Sequence, residues 1–249
     1  SAPSNRRDHS VTRPDAPGPS EADAPGPCEA SPQEVSGRVP DDPMYADVAD
    51  IVTFNDIKDP DLWVRPVGPP AAIEIVGHDP AWADSFAEVA HQIRRALGPS
   101  GSFVGIDHVG STSVPGLPAK PIIDIALVVA DPTAEGDYVP ALAEAGFGLT
   151  LREPAWYEHR MFKRLDPEPV QPDCNLHVFG PRCAEVARMR LFRDWLREHE
   201  GERETYQSVK RTSAEESNAV GEAVMGYNSR KQAVVREIYH RIFVARGWL

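Results

Sequence analysis

Apolar positions are distributed along the chain in three distinct ways. Through residues 1–45 they are few and without period, scattered among runs such as Asp15-Ala-Pro-Gly-Pro19 and Asp23-Ala-Pro-Gly-Pro27. Such a stretch has too little apolar surface to offset the entropy of ordering it. It reads as a disordered, low-complexity tail. Residues 46–70 form a linker or N-terminal extension in which Ile51-Val52-Thr53-Phe54 predicts a short strand, before Pro60, Pro66, Pro69 and Pro70 interrupt the chain. From 71 to 249 the pattern becomes periodic, as expected of one folded domain.

Within that domain Ala72–Val76 alternates like a strand and stops at Gly77. Asp79 followed by Pro80 marks a helix start. Trp82, Phe86, Val89, Ile93 and Leu97 then recur on a single helical stripe, closed by Gly98-Pro99. Strands are predicted over Phe103–Val109, Ile122–Val129, Phe147–Arg152, Glu158–Leu165 and Leu176–Phe179, with a helix near Val139–Ala145. Helices over about 183–199, 201–216 and 226–246 complete the chain. The fold class is therefore α/β (α+β): a mixed sheet flanked by helices, followed by a helical C-terminal half.

Composition narrows the functional classes. The net charge is −12, from 26 Lys and Arg against 38 Asp and Glu. That balance argues against a general nucleic-acid binder, because phosphate backbones reward basic surfaces; it says nothing about a local basic pocket. No segment approaches the roughly 20 apolar residues that span a bilayer, and the N-terminus has no apolar core of a secretory signal. Cys28, Cys174 and Cys183 show no paired spacing for a disulfide framework or a zinc site. A cytoplasmic location with reduced thiols is the expectation.

The chemistry concentrates in His108-Val-Gly-Ser-Thr-Ser-Val-Pro-Gly-Leu-Pro-Ala-Lys-Pro-Ile-Ile-Asp124. Gly110 lets backbone approach a ligand, and Ser111, Thr112 and Ser113 supply hydroxyls. A helical turn starting there would aim free N–H groups at an anion. Lys120 adds positive charge, and Asp124 interrupts an otherwise apolar strand, where a carboxylate could hold a magnesium ion against phosphates. By spacing alone, Gly-Ser-Thr-Ser reads equally as a plain turn closed by its own hydroxyls.

This stretch resembles the signature of the GrpB family, a set of small bacterial proteins in the nucleotidyltransferase superfamily. The resemblance covers about residues 72–246. It takes in His78-Asp-Pro-Ala-Trp82, His108 to Leu117, Lys120-Pro-Ile-Ile-Asp124, Asn175-Leu-His-Val178, Leu191 to Arg197, Tyr206 to Lys210, and Tyr227 with Lys231. It implies a nucleotidyltransferase-like core that binds a nucleoside triphosphate or another phosphorylated metabolite with Mg²⁺. Gly110 and Ser111 would be the phosphate element and Asp124 the first metal carboxylate, with Lys120 beside it. The superfamily's second carboxylate position is Ala126, and His177 stands near the third, as a candidate metal ligand. Arg193, Lys210, Tyr227 and Lys231 match family positions and suit an anionic ligand.

Three functions follow as expectations. The first is transfer of a nucleotidyl or related group to a small acceptor. The second is a non-catalytic nucleotide- or partner-binding module, since GrpB-like domains also occur fused to the coenzyme A biosynthetic kinase. The third is a pathway-specific reaction without a nucleotide. His108 reads as structural support for the loop, and Trp156 and Tyr157 as packing residues. Arg190, Arg193 and Arg197 share a helix face. Arg160 and Arg164 share a strand face opposite Lys163, with Arg160 a further candidate for phosphate.

Overall fold

The computed structural model describes residues 46–57, 62–65, 71–165, 172–222 and 224–249; the expected tail, Cys28 and much of the expected linker lie outside them. Five strands form one mixed sheet in the order β1-β2-β5-β4-β3. They are β1 (Phe103–Val109), β2 (Ile122–Val129), β3 (Phe147–Glu153), β4 (His159–Arg164) and β5 (Asp173–Phe179). Only β2 and β5 run parallel; the other neighbours are antiparallel. The sheet strands match the sequence expectation closely, because each is either an alternating or, like Ile122–Val129, a continuous apolar run bounded by turn residues.

Helix α2 (Ala81–Leu97) packs its stripe on one sheet face. Trp82, Val89, Ile93 and Leu97 are buried there against Ile123, Ile125, Leu127, Leu176 and Val178. Burying each such side chain contributes about 1.5–3 kcal/mol. The Asp79 carboxylate accepts the Ala81 N–H at 2.9 Å, and Pro80 already has helical dihedrals (φ −57°, ψ −26°), so Asp79 caps the helix with Pro80 in its first turn, as expected. Helix α3 (Val139–Glu144) adds Leu142 to the same layer. The opposite sheet face is covered in part by α4 (Ala184–Glu198), through Val186 against Ala126, Val128 and Phe179. Helices α5 (Glu200–Val220) and α6 (Val224–Ala245) pack beyond α4 around Tyr206, Ile238, Tyr239 and Phe243.

Two predicted strands take other forms. Residues Ile51 and Val52 end the short helix α1 (Val48–Val52). Arg188, whose side chain is 1 % exposed, donates to the carbonyls of Asp50, Ile51 and Thr53 at 3.1, 2.9 and 3.2 Å. That guanidinium satisfies backbone acceptors at the helix end, and so outweighs the strand propensity of β-branched residues. Phe54 then lies against Arg188, Arg236 and Tyr239. Ala72–Val76, the other predicted strand, is an extended strap. It makes a single bridge, Val76 to Ala119. The Asn218 side chain takes the place of a strand partner, accepting the Ile73 N–H at 2.8 Å and donating to the Ile73 carbonyl at 2.9 Å.

Candidate phosphate-binding site

The Gly-Ser turn is held against β2 by a steric requirement. Gly110 has φ 69° and ψ −172°, a conformation open essentially to glycine alone. A β-carbon there would stand 2.4 Å from Asp124 Oδ2 and 2.8 Å from its Cβ. The carboxylate of β2 therefore packs directly on the Gly110 backbone. Ser111–Ser113 form one turn of 3₁₀ helix, as the sequence predicts in outline. Its hydroxyls divide by role. Ser113 Oγ donates to the Gly110 carbonyl at 2.6 Å, and Thr112 Oγ1 donates to the Ile122 carbonyl at 3.3 Å. Both residues are buried, so these two hydroxyls close the turn, whereas Gly110 is exposed and Ser111 half-buried.

His108 supports the turn from below. Its Nε2 lies 3.0 Å from Thr112 Oγ1; because that hydroxyl's hydrogen goes to Ile122, Nε2 is the donor. The ring stacks on Phe86 at 4.8 Å. Burial, partly countered by Asp124, pushes the imidazole down to about 4, which keeps it neutral near pH 7. Helix α4 grips the same region from the other side. Arg197 donates twice to the Ser113 carbonyl, at 3.0 and 2.7 Å. Arg193 donates to the His108 carbonyl at 2.9 Å and pairs with Asp107 and Asp194. Arg193 thus positions the loop through its backbone, with its donors engaged by protein groups.

Register explains which side chains meet. Asp124 of β2 lies opposite Val109 of β1 and Asn175 of β5, and Ala126 lies opposite His177. Directly opposed residues share a sheet face, so Asp124, Asn175 and His177 project together. Asn175 Nδ2 donates to Asp124 Oδ1 at 2.8 Å, and His177 Nε2 stands 3.9 Å from that oxygen. Burial would raise the Asp124 carboxyl; the polar groups around it, among them the Asn175 amide and the Lys120 ammonium, outweigh burial and hold it below the usual carboxylate range. Its side chain is 32 % exposed, so the charge is reachable.

The C-terminal helices bring cations to this edge. The Lys120 ammonium lies 5.3 Å from the Tyr227 ring centroid and Lys231 Nζ lies 4.5 Å from it, both within cation–π range. Burial, then the charge of Lys231, pushes Lys120 down from its usual value. Lys210 is buried and donates to the Pro118 carbonyl, two residues before Lys120. Burial drives its pKa down to about 7. Lys210 therefore pins the segment that carries Lys120, while Lys120 and Lys231 are half-buried and flank a buried tyrosine.

Three features were not read from the sequence. His159 bonds His177, and Glu153 bonds His159, on the same sheet face as Asp124. Arg197 clasps the turn, and Arg188 anchors α1. Strand parity was the available signal for the first, since His159 alternates with Met161 and Lys163 on the face of Asn175 and His177. Arg160 points to the other face, bonded to Glu135 and Glu158. Trp156 donates to the Asn55 carbonyl and packs on Phe179, as a packing residue should.

As to metal, the described residues contain no group of three or more His, Cys, Asp or Glu placed to hold an ion. Ala126 supplies no ligand, so a two-metal carboxylate centre does not fit. Asp124 with His177 fits one cation whose remaining coordination comes from substrate and water.

A mixed sheet with a glycine–serine turn seated on a strand carboxylate, beside a lysine-flanked tyrosine, defines an α+β protein with its polar site near the N-terminal ends of the neighbouring strands β2 and β5. The chain belongs to the GrpB protein family, whose profile matches residues 72–241. A UPF0157 protein of Halalkalibacterium halodurans is 45 % identical over 171 residues, covering 69 % of this chain and 83 % of the relative. One from Streptomyces coelicolor is 39 % identical over 183 residues, covering 70 % and 92 %. The crystal structure of the conserved protein GrpB from Enterococcus faecalis superposes with a TM-score of 0.56 at 24 % identity, covering 71 % of this chain and all of that one. At that identity the likeness speaks for the fold. None of the described helices is long and apolar enough to cross a membrane.

Proposed function

We propose that the protein binds a nucleoside triphosphate, together with a divalent cation, at the Gly110–Asp124 edge and transfers a nucleotidyl group to a small acceptor. The observation that carries this reading is the convergence of the exposed Gly110-Ser111 backbone, the Lys120 and Lys231 ammoniums and the Asp124 carboxylate on one edge. Backbone N–H groups and two ammoniums suit phosphate oxygens. Asp124 would hold the cation, which would offset charge on the phosphates. The chain's own contribution is positioning and electrostatic stabilisation: the turn fixes the phosphates, and Lys120 and Lys231 favour the charge that develops on them. Arg193, Arg197, His108 and Lys210 keep the turn and the Lys120 segment in place.

Ala126 favours a second reading, a non-catalytic nucleotide-binding module. A relative named dephospho-CoA kinase from Mycolicibacterium paratuberculosis is 27 % identical over 206 residues, and the match covers 48 % of its length. A fused supporting domain would look like this. The test is isothermal titration with ATP, GTP, CTP, UTP and coenzyme A precursors, with and without Mg²⁺. Binding that Lys120→Ala weakens and a divalent cation strengthens supports the site. Absence of binding for every nucleotide removes it.

A further inference from the structure

The sheet face that carries Asp124 holds a longer polar row than the reading above requires. Glu153 ends β3, His159 opens β4 and His177 lies in β5, and register places all three on the face of Asp124. His159 Nδ1 is 2.7 Å from Glu153 Oε2, and its Nε2 is 3.0 Å from His177 Nδ1. The ring of His159 stacks on Phe179 and meets the edge of Trp156, and the residue is 2 % exposed.

Donor and acceptor roles propagate along this row. An ionised carboxylate only accepts, so His159 Nδ1 carries hydrogen. Among aromatic rings and nearly out of reach of water, a neutral His159 ring is favoured, and its Nε2 is then an acceptor. His177 Nδ1 must supply the hydrogen for that bond. In neutral His177 the lone pair is left on Nε2, which points toward Asp124. The 3.9 Å gap to Asp124 Oδ1 is too long for a hydrogen bond. It falls between the roughly 3.4 Å that two ligands on bonds of about 2.1 Å span at a tetrahedral angle and the roughly 4.2 Å of a trans pair, so a side-chain shift of about half an ångström brings both onto one ion.

We propose that Asp124 and His177 Nε2 bind a single divalent cation of the nitrogen-accepting class, Mn²⁺, Co²⁺ or Zn²⁺ in preference to Mg²⁺, and that Glu153 and His159 hold His177 in the ligating tautomer. The inference rests on the phosphate-site reading for its purpose, since substrate oxygens would complete the shell, but its ligands are the protein's own. An imidazole ligand disfavours Mg²⁺, which takes oxygen donors. A carboxylate behind a ligating histidine fixes ring orientation and raises basicity, and here a second imidazole transmits that effect. Lys120 and Lys231 oppose a bare cation, so binding tightens when phosphate is present.

The experiment titrates the full chain with Mn²⁺, followed by electron paramagnetic resonance, and with Co²⁺, followed by visible absorption, each in competition with Mg²⁺. Co²⁺ and Mn²⁺ should bind at least about tenfold more tightly than Mg²⁺. His177→Ala should remove that preference, and Glu153→Ala should weaken Co²⁺ roughly 10- to 100-fold with the fold retained by circular dichroism. Should Glu153→Ala unfold, ¹⁵N–¹H spectra of the wild-type histidines decide the tautomer: His177 should be protonated on Nδ1 and bare on Nε2. The proposal is overturned if Mg²⁺ binds as well as Co²⁺, if no divalent ion binds, if His177→Ala leaves Co²⁺ binding intact, or if Nε2 is the protonated nitrogen. Pyrophosphate binding to the metal-free protein, measured alongside, separates the two ideas. Pyrophosphate retained without Co²⁺ sinks only the metal assignment; Co²⁺ retained without pyrophosphate sinks the phosphate site.

Discussion

Gly110→Ala puts the central contact of the site under direct test. Two costs add at this position. With φ at 69° and ψ at −172°, an alanine is held in a region that costs roughly 1–3 kcal/mol. Its methyl would also fall 2.4 Å from Asp124 Oδ2. The carboxylate must then shift, straining its bond from Asn175, and loss of a charge-assisted hydrogen bond costs roughly 1.5–3 kcal/mol. A total of about 2.5–6 kcal/mol lowers Tm by roughly 5–24 °C for a domain of this size. Gly116 is the control: it too has positive φ, at 78°, but nothing lies within 4 Å of its would-be methyl. Gly116→Ala should cost only the backbone component. A double-mutant cycle isolates the clash, because in an Asp124→Gly background, which removes the β-carbon along with the carboxylate, Gly110→Ala should lose about half its effect. Urea unfolding at pH 7.5 reads all the variants. If Gly110→Ala costs no more than Gly116→Ala, and the same with or without Asp124, then the turn is not seated on the carboxylate as described.

Four further outcomes follow. His108 and His159 both titrate near 4 when folded, below their ordinary value of 6.5, so the unfolded chain takes up protons first; stability should be complete above pH 6.5 and fall by up to about 3 kcal/mol per histidine toward pH 4, and an unchanged slope in His108→Gln would refute this. Lys210 titrates near 7 when folded against 10.5 unfolded, so stability should rise from pH 7 to 10 in the wild type, and Lys210→Met should lack that rise in urea midpoints. Lys231→Ala should weaken ATP roughly tenfold, about 1.4 kcal/mol, and flatten its salt dependence in titration calorimetry; equal affinity at all salt concentrations would place the phosphates elsewhere. Arg197→Ala, which releases the Ser113 carbonyl, should cost roughly 1–3 kcal/mol of stability and loosen the turn, seen as faster amide exchange at Ser111 to Val114.

The sheet and its flanking helices were legible because burial imposes a period on each element. Ile122–Val129 reads as a buried strand, and the one polar residue in its first half, Asp124, reads as a site for the same reason. What the sequence did not disclose are interactions fixed by strand order. Glu153 and His159 lie far from Asp124 in the chain and are linked to its neighbourhood only through His177, because β5 lies between β2 and β4. The side chains of Thr112 and Ser113 looked interchangeable with Ser111, yet closing the turn required two of the three hydroxyls. Arg193 and Arg197 were seen on one helix face, but only the packing of α4 shows that they grip carbonyls of the loop. Ile51–Phe54 was misread because local propensity favoured a strand, whereas a guanidinium from α4 set the outcome.

Arg188 also redraws where the folding unit starts. Family likeness begins at residue 72, yet a chain cut there would lose α1 and Phe54. The guanidinium would keep Glu185 and Tyr157 but lose three carbonyl acceptors and the Phe54 ring packed against it. It would also expose the aromatic surface of Tyr239 and Phe243 that Phe54 covers. The practical boundary for expression, crystallisation or domain transplantation is therefore near residue 46, some 26 positions ahead of the region that similarity alone would select.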